Sequence, residues 1–153
     1  MQIAREGYPF IFVAVLLALV TFAVGWKWAG LALTLFALAF VGFFRDPERI
    51  PPEGEDLILS PADGRVVGIR QSREEGTQVS IFLSPFDVHV NRAPVKGKVE
   101  DVRYQKGSFF AAYKDEASWS NEQNSLSVVD PKGRSLRVVQ IAGVLARRIV
   151  CYV

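Results

Sequence analysis

Two apolar runs at the N-terminus constrain this chain more than any other feature. Pro9 to Gly25 is 17 residues without a charge, and after Trp26-Lys27-Trp28 another 16, Ala29 to Phe44, carry none. At about 1.5 Å rise per residue each run makes a helix of ~24–26 Å, a little short of the ~30 Å hydrocarbon core but workable once flanking residues snorkel. The pattern predicts a two-helix hydrophobic membrane anchor over residues 1–44, folded as a tight hairpin. Two tryptophans around a lysine suit a turn at an interface, and Arg5, Arg45 and Arg49 lie at the other end, which puts both termini and the following domain on the cytoplasmic side of a cell membrane. Two alternatives stay open. The hairpin can be re-entrant or interfacial and never cross, or it can be a cleaved signal peptide, against which stand the small basic n-region and the second apolar run.

Behind the anchor the composition changes. Arg45-Asp46-Pro47-Glu48-Arg49-Ile50-Pro51-Pro52 begins a linker, residues 45–56, in which prolines keep the chain extended and arginines can reach lipid phosphates. From Arg45 onward acidic and basic residues nearly cancel, so the basic footprint of a nucleic-acid binder is missing. Residues 57–153 alternate short β-prone runs with turn chemistry. Leu57-Ile58-Leu59 and Arg65 to Arg70 flank Pro61-Ala62-Asp63-Gly64 as a predicted hairpin, with a second turn at Glu74-Glu75-Gly76 leading to Gln78–Leu83. Further strands are expected at Lys98–Tyr104, Ser125–Val129, Leu136–Ala142 and Arg148–Val153, with a turn at Asp130-Pro131-Lys132-Gly133 and a short helix near Lys114–Ser118. Six or seven short strands predict a mainly β domain, a small β-barrel or sandwich. The lone cysteine, Cys151, is expected to be a buried strand residue; it has no disulfide partner and fits a reducing compartment.

One histidine and one cysteine cannot build a Cys/His zinc site, and neither a phosphate loop nor a dinucleotide fingerprint is present. What remains is Asp63 on a glycine turn and His89 in the proline-bounded stretch Ser84-Pro85-Phe86-Asp87-Val88-His89-Val90-Asn91-Arg92-Ala93-Pro94. Histidine exchanges protons near neutral pH, and an aspartate can fix its tautomer so that it activates a hydroxyl. Each residue also has an ordinary reading, Asp63 as a turn former and His89 as a satisfied structural side chain. The pair is worth more than either member.

Phe43-Phe44-Arg45-Asp46-Pro47-Glu48-Arg49, Ser60-Pro61-Ala62-Asp63-Gly64, the stretch around His89, Lys114-Asp115-Glu116-Ala117-Ser118 with Asn121-Glu122-Gln123-Asn124, and Ile141 to Cys151 form five blocks in order. Together they resemble the short, archaeal-type phosphatidylserine decarboxylases, from the second apolar segment to the last residue. The resemblance implies a pyruvoyl-dependent enzyme made as a proenzyme. Self-cleavage at a Gly-Ser bond turns the serine into a covalent pyruvoyl group on a small α chain, and the larger β chain stays with it. It further implies that Asp63 and His89 serve that serine. The pyruvoyl carbonyl then takes up the amine of phosphatidylserine as a Schiff base, CO₂ leaves, and a proton donor, for which His89 is available, completes phosphatidylethanolamine.

Two departures accompany the resemblance. Long-type members resemble a His-x-x-His arrangement, whereas Arg92 stands three residues after His89. The only Gly-Ser pair, Gly107-Ser108, lies in a block where the family is not cleaved and is expected to be a loop. The pyruvoyl-forming serine is therefore expected beyond residue 153, and the chain alone, resembling mostly a β chain, is expected to be inactive. Expected partners are the phospholipid, the membrane and the α chain, with oligomers allowed and nucleic acid not. Arg45, Arg49 and Arg92 are candidate lipid or carboxylate contacts. A reading from another class is a non-catalytic, membrane-tethered biotinyl- or lipoyl-like module, suggested by Ala62-Asp63-Gly64-Arg65-Val66-Val67, although no lysine sits at a hairpin tip as carriers require.

Overall fold

The computed structural model describes residues 2–54, 56–72, 76–111 and 117–153. The chain divides into two compact units, Met1–Glu53 with Ala62–Arg92, and Gly54–Pro61 with Ala93–Val153.

In the first unit the two apolar runs fold as expected into α1 (Tyr8–Ala23) and α2 (Lys27–Phe43), joined at Gly25, whose φ of 83° makes the reversal. Small residues bring the helices together. Ala14, Ala18, Gly30 and Ala37 are buried, and a Cβ on Gly30 would stand 2.7 Å from the Phe22 ring. The larger side chains, among them Phe12, Leu19, Leu35 and Phe36, face outward and are exposed. The helices have 16 and 17 residues, and no helix among the described residues is long and apolar enough to cross a membrane. The membrane-spanning form of the anchor is therefore not supported: Gly25 and the Lys27 charge break the apolar stretch at the turn and Arg45 ends it, so neither helix has the length to span.

A short strand β1 (Gln2–Ile3) pairs with β2 (Arg45–Asp46) and closes the open end of the hairpin. Next come β3 (Arg65–Ser72) and β4 (Gly76–Phe82), an antiparallel ribbon with a register shift between Val66 and Gly68. Leu57–Leu59 is not the partner of β3. It forms no strand, and the Leu59 amide donates to the Pro94 carbonyl at 2.8 Å. The predicted turn at Glu74-Glu75 lies outside the described residues, while Gly76 opens β4 with φ 81°.

The second unit holds one three-stranded antiparallel sheet, β5 (Lys98–Gln105), β6 (Gln123–Val129) and β7 (Ser135–Ile141), in the order β5-β6-β7. The Asp130–Gly133 turn forms as expected. Asp130, its side chain only 3% exposed, accepts from the Lys132 and Arg134 amides and from Arg134 Nε. Burial raises the Asp130 pKa, but these donors outweigh it and the net shift is downward. A single-turn helix α3 (Ala117–Ser120) precedes β6; the Lys114–Glu116 part of the expected helix lies outside the described residues.

Among the described residues the strands make small sheets of two, two and three strands, not the closed barrel expected. Nearly every pairing joins strands that are neighbours in sequence, so the sheets stop at two or three members and keep their edges. Arg148–Val153 is not a strand either: it has no ladder partner among the described residues, and unpaired β-prone residues gain nothing from extension. Cys151 is accordingly exposed, with the Val153 carbonyl 3.7 Å from Sγ, and not buried.

Candidate active site

The loop that carries His89 is shaped by its own sequence. Ser84 and Pro85 open a β-turn in which the Asp87 amide donates to the Ser84 carbonyl at 2.9 Å, with proline at the position whose φ it presets. The Ser84 amide returns a bond to Asp87 Oδ2 at 2.7 Å. That amide holds the Asp87 carboxyl below its ordinary pKa, helped by the Ser84 side chain, the neighbouring His89 ring and the Arg45 charge. Val88 is buried, which anchors the loop immediately before the histidine.

His89 is half-buried, and its Nδ1 lies 3.0 Å from the Asp87 carbonyl. A carbonyl can only accept, so Nδ1 carries the proton and Nε2 is the basic nitrogen of the neutral ring. Burial lowers the His89 pKa and the Arg45 charge lowers it further, against the opposing pull of the Asp87 carbonyl and carboxylate; the net shift is downward. The imidazole also stacks on Phe43, the last residue of α2, with centroids 4.2 Å apart and ring planes at 29°.

Asp63 stands just before β3. Gly64 follows with φ 131°, and a Cβ there would come within 2.3 Å of the Phe82 carbonyl oxygen, so only glycine lets β3 start this close to the end of β4. The Asp63 carboxylate pairs with the Arg49 guanidinium, both partly exposed. No hydrogen bond or ion pair links Asp63 to His89 among the described residues: the aspartate is held by Arg49, and the tautomer of the histidine is set by a backbone carbonyl.

The exit from the helical hairpin contributes more to this region than its sequence suggested. Arg45 donates from Nη1 to Gly42 O at 2.6 Å and from Nη2 to Phe86 O at 2.7 Å, which ties the end of α2 to the histidine loop. Asp46 pairs with Arg92. Arg45, Arg49 and Arg92 are therefore all engaged by the chain itself. The one available signal was charge complementarity between Arg45-Asp46-Pro47-Glu48-Arg49 and the distant Asp63 and Arg92.

Gly107-Ser108 lies outside the strands, as expected. The Ser108 amide donates to Ser120 O at 2.7 Å and its carbonyl accepts from the Glu122 amide at 3.0 Å. Asn121, fully buried, fastens the neighbouring segment: Oδ1 accepts from the Phe110 amide at 2.8 Å, and Nδ2 donates to Phe110 O at 2.9 Å and Ala142 O at 2.8 Å. Among the described residues no group of three or more His, Cys, Asp or Glu side chains is placed to hold a metal ion.

Comparison with known proteins bears on this arrangement. The family model described as phosphatidylserine decarboxylase matches residues 36–153, a span that includes the helix exit, Asp63 and His89. The phosphatidylserine decarboxylase proenzyme of Geobacter sulfurreducens is 49% identical over 160 residues, covering 98% of this chain and 73% of the relative. The proenzymes of Geobacter metallireducens and Nitrosomonas eutropha are 48% and 46% identical, covering 98% and 99% of this chain and 73% and 72% of the relatives. With most of its length matched by the family model and nearly all of it aligned to such relatives, the chain belongs to the phosphatidylserine decarboxylase family.

Proposed function

We propose that this protein decarboxylates phosphatidylserine to phosphatidylethanolamine as part of a self-processed proenzyme, with His89 as proton carrier and Asp63 as its acidic partner. Family membership supports the reaction. The observation that carries the assignment of His89 is its state: a half-buried imidazole held neutral, with Nδ1 committed to the Asp87 carbonyl and Nε2 left basic.

In this reading Nε2 takes the hydroxyl proton of the serine at the self-cleavage site, which lets the hydroxyl oxygen attack the preceding peptide carbonyl. The same nitrogen later gives a proton to the substrate carbon that has lost CO₂. The resemblance carries the assignment of Asp63, whose carboxylate is held by Arg49. The residues present fit the pyruvoyl group that the proenzyme name implies, because a desolvated neutral imidazole can both accept and return a proton beside a reactive carbonyl. When bound, that group supplies the carbonyl that draws off the electrons released as CO₂ departs. Its source would be a serine beyond residue 153, on a small α chain cut from the same precursor.

The helical hairpin supports membrane association without crossing. Large apolar side chains face outward around both helices, Trp26 and Trp28 are exposed at the turn, and charged residues gather where the hairpin ends. We place it within the cytoplasmic face of the membrane. Deleting residues 8–43 should abolish flotation with phospholipid vesicles.

The reaction is tested with the full-length precursor in mixed micelles of detergent and carboxyl-labelled phosphatidylserine. Labelled CO₂ should be released, and phenylhydrazine, which traps reactive carbonyls, should stop it. Absence of release from fully processed protein, or release indifferent to the carbonyl reagent, would overturn the proposal.

A further inference from the structure

The short segment from Phe43 to Arg49 contacts the histidine loop and Asp63 at four places. The Phe43 ring stacks on His89 at 4.2 Å, Arg45 bonds the Phe86 carbonyl, Asp46 pairs with Arg92, and Arg49 pairs with Asp63. Three of these contacts are polar and reach backbone or charged groups. The fourth touches the imidazole itself, on its face, where a ring neither donates nor accepts but fixes the plane and excludes water. Phe43 is held in turn by Phe44 at 5.1 Å, edge to face, and Phe44 stacks on Phe10 of α1 at 5.6 Å.

We infer that Phe43 is a positioning residue for His89: its ring sets the plane of the imidazole and covers one face, with the Arg45 and Asp46 contacts clamping the loop so that the stack persists. This rests on the proposed role of His89. It adds that the site is assembled by the end of the helical hairpin and not by the histidine loop alone. A consequence follows for protonation. The groups acting on His89 are Asp87 on its own loop and Arg45 on the hairpin exit, and both stay in place when only the Phe43 ring is removed. Uncovering the ring should let water back to the imidazole and favour its charged form.

The test uses full-length precursor with ¹³C-labelled histidine, the His89 signal being identified by its loss in His89→Ala. Phe43→Ala should move the titration midpoint of His89 upward, and the acid limb of the self-cleavage rate should move with it. Phe43→Tyr, which keeps the ring, should restore both to the parent values. Phe43→Leu serves if the alanine variant unfolds; it keeps apolar bulk at the end of α2 but not the stack, and should broaden the His89 signal while slowing cleavage. An unchanged midpoint and acid limb in a folded Phe43→Ala protein, or in Phe43→Leu an unaltered signal and rate, would overturn the inference. The two readings fail separately. Normal cleavage in His89→Ala would sink the role of the histidine, while the titration of His89 in Phe43→Ala would still report whether Phe43 positions it.

Discussion

Replacing Asn121 tests how the second unit holds together. Its amide makes three hydrogen bonds, one accepted from the Phe110 amide and two donated to the Phe110 and Ala142 carbonyls, in a position with no solvent exposure. The two bonds to Phe110 are partly buried, so their loss in Asn121→Ala costs about 1 kcal/mol each. The bond to Ala142 is buried, and a carbonyl left there without its donor costs about 1–3 kcal/mol. The sum is about 3–5 kcal/mol, a large share of the ~5–15 kcal/mol that holds a typical domain. Asn121→Asp sharpens the reasoning. It conserves shape and the acceptor for the Phe110 amide, but turns a carboxylate toward two carbonyls, so it should be at least as damaging as alanine at neutral pH. Urea unfolding followed through Trp119, which lies on α3 two residues before Asn121, reads the change once Trp26 and Trp28 are replaced by Phe. A loss below about 1 kcal/mol in Asn121→Ala, or an aspartate variant more stable than the alanine one, would refute the bonding described.

Three further outcomes are expected. Because the folded-state pKa of His89 lies below its ordinary 6.5, the neutral ring persists to lower pH in the folded protein than in the unfolded chain; self-cleavage should keep its rate until below pH 6.5, and stability should fall as pH drops from 6.5 through the folded-state pKa. A rate already halved above pH 6.5 would contradict this. Gly64→Ala should destabilise by more than Gly133→Ala and should also slow cleavage: both positions have positive φ and cost ~1–3 kcal/mol in strain, but only at Gly64 does the new Cβ meet a backbone oxygen, while at Gly133 nothing lies within 4 Å. Equal denaturation midpoints for the two would count against the close approach of β3 and β4. Arg49→Ala should change stability by less than about 1 kcal/mol, since its pair with Asp63 is partly exposed, yet should slow self-cleavage measured by gel; unaltered cleavage would mean that Arg49 does not serve Asp63.

Much of this was legible in the sequence, and what was not has physical causes. The helices followed from unbroken apolar runs, and β5, β6 and β7 from β-branched residues bounded by turn chemistry, with Asp130-Pro131-Lys132-Gly133 forming as read. The partner of β3 was misread because the Asp63-Gly64 turn looks like a hairpin tip; instead Gly64 allows a close approach to Phe82, which only the folded backbone reveals. Closure into a barrel failed because strand number does not dictate which edges meet. Arg148–Val153 and Cys151 failed for a related reason, as propensity without a paired neighbour makes neither a strand nor a buried side chain. For the site, His89 and Asp63 could be named from residue type and resemblance. Their immediate partners could not, because the Asp87 carbonyl is brought in by a loop turn, the Phe43 ring by the end of α2 and Arg49 by the segment that follows it.

The account depends most on the proposed role of His89 as the base in self-cleavage, with Asp63 as a second residue that the cleavage requires. Intact-mass measurement of the full-length precursor tests this directly. Unmodified protein should appear as two chains, the smaller one blocked at its N-terminus, whereas His89→Ala and Asp63→Ala should each remain a single uncut chain. Two chains in both variants, the smaller one of parental mass, would contradict the account.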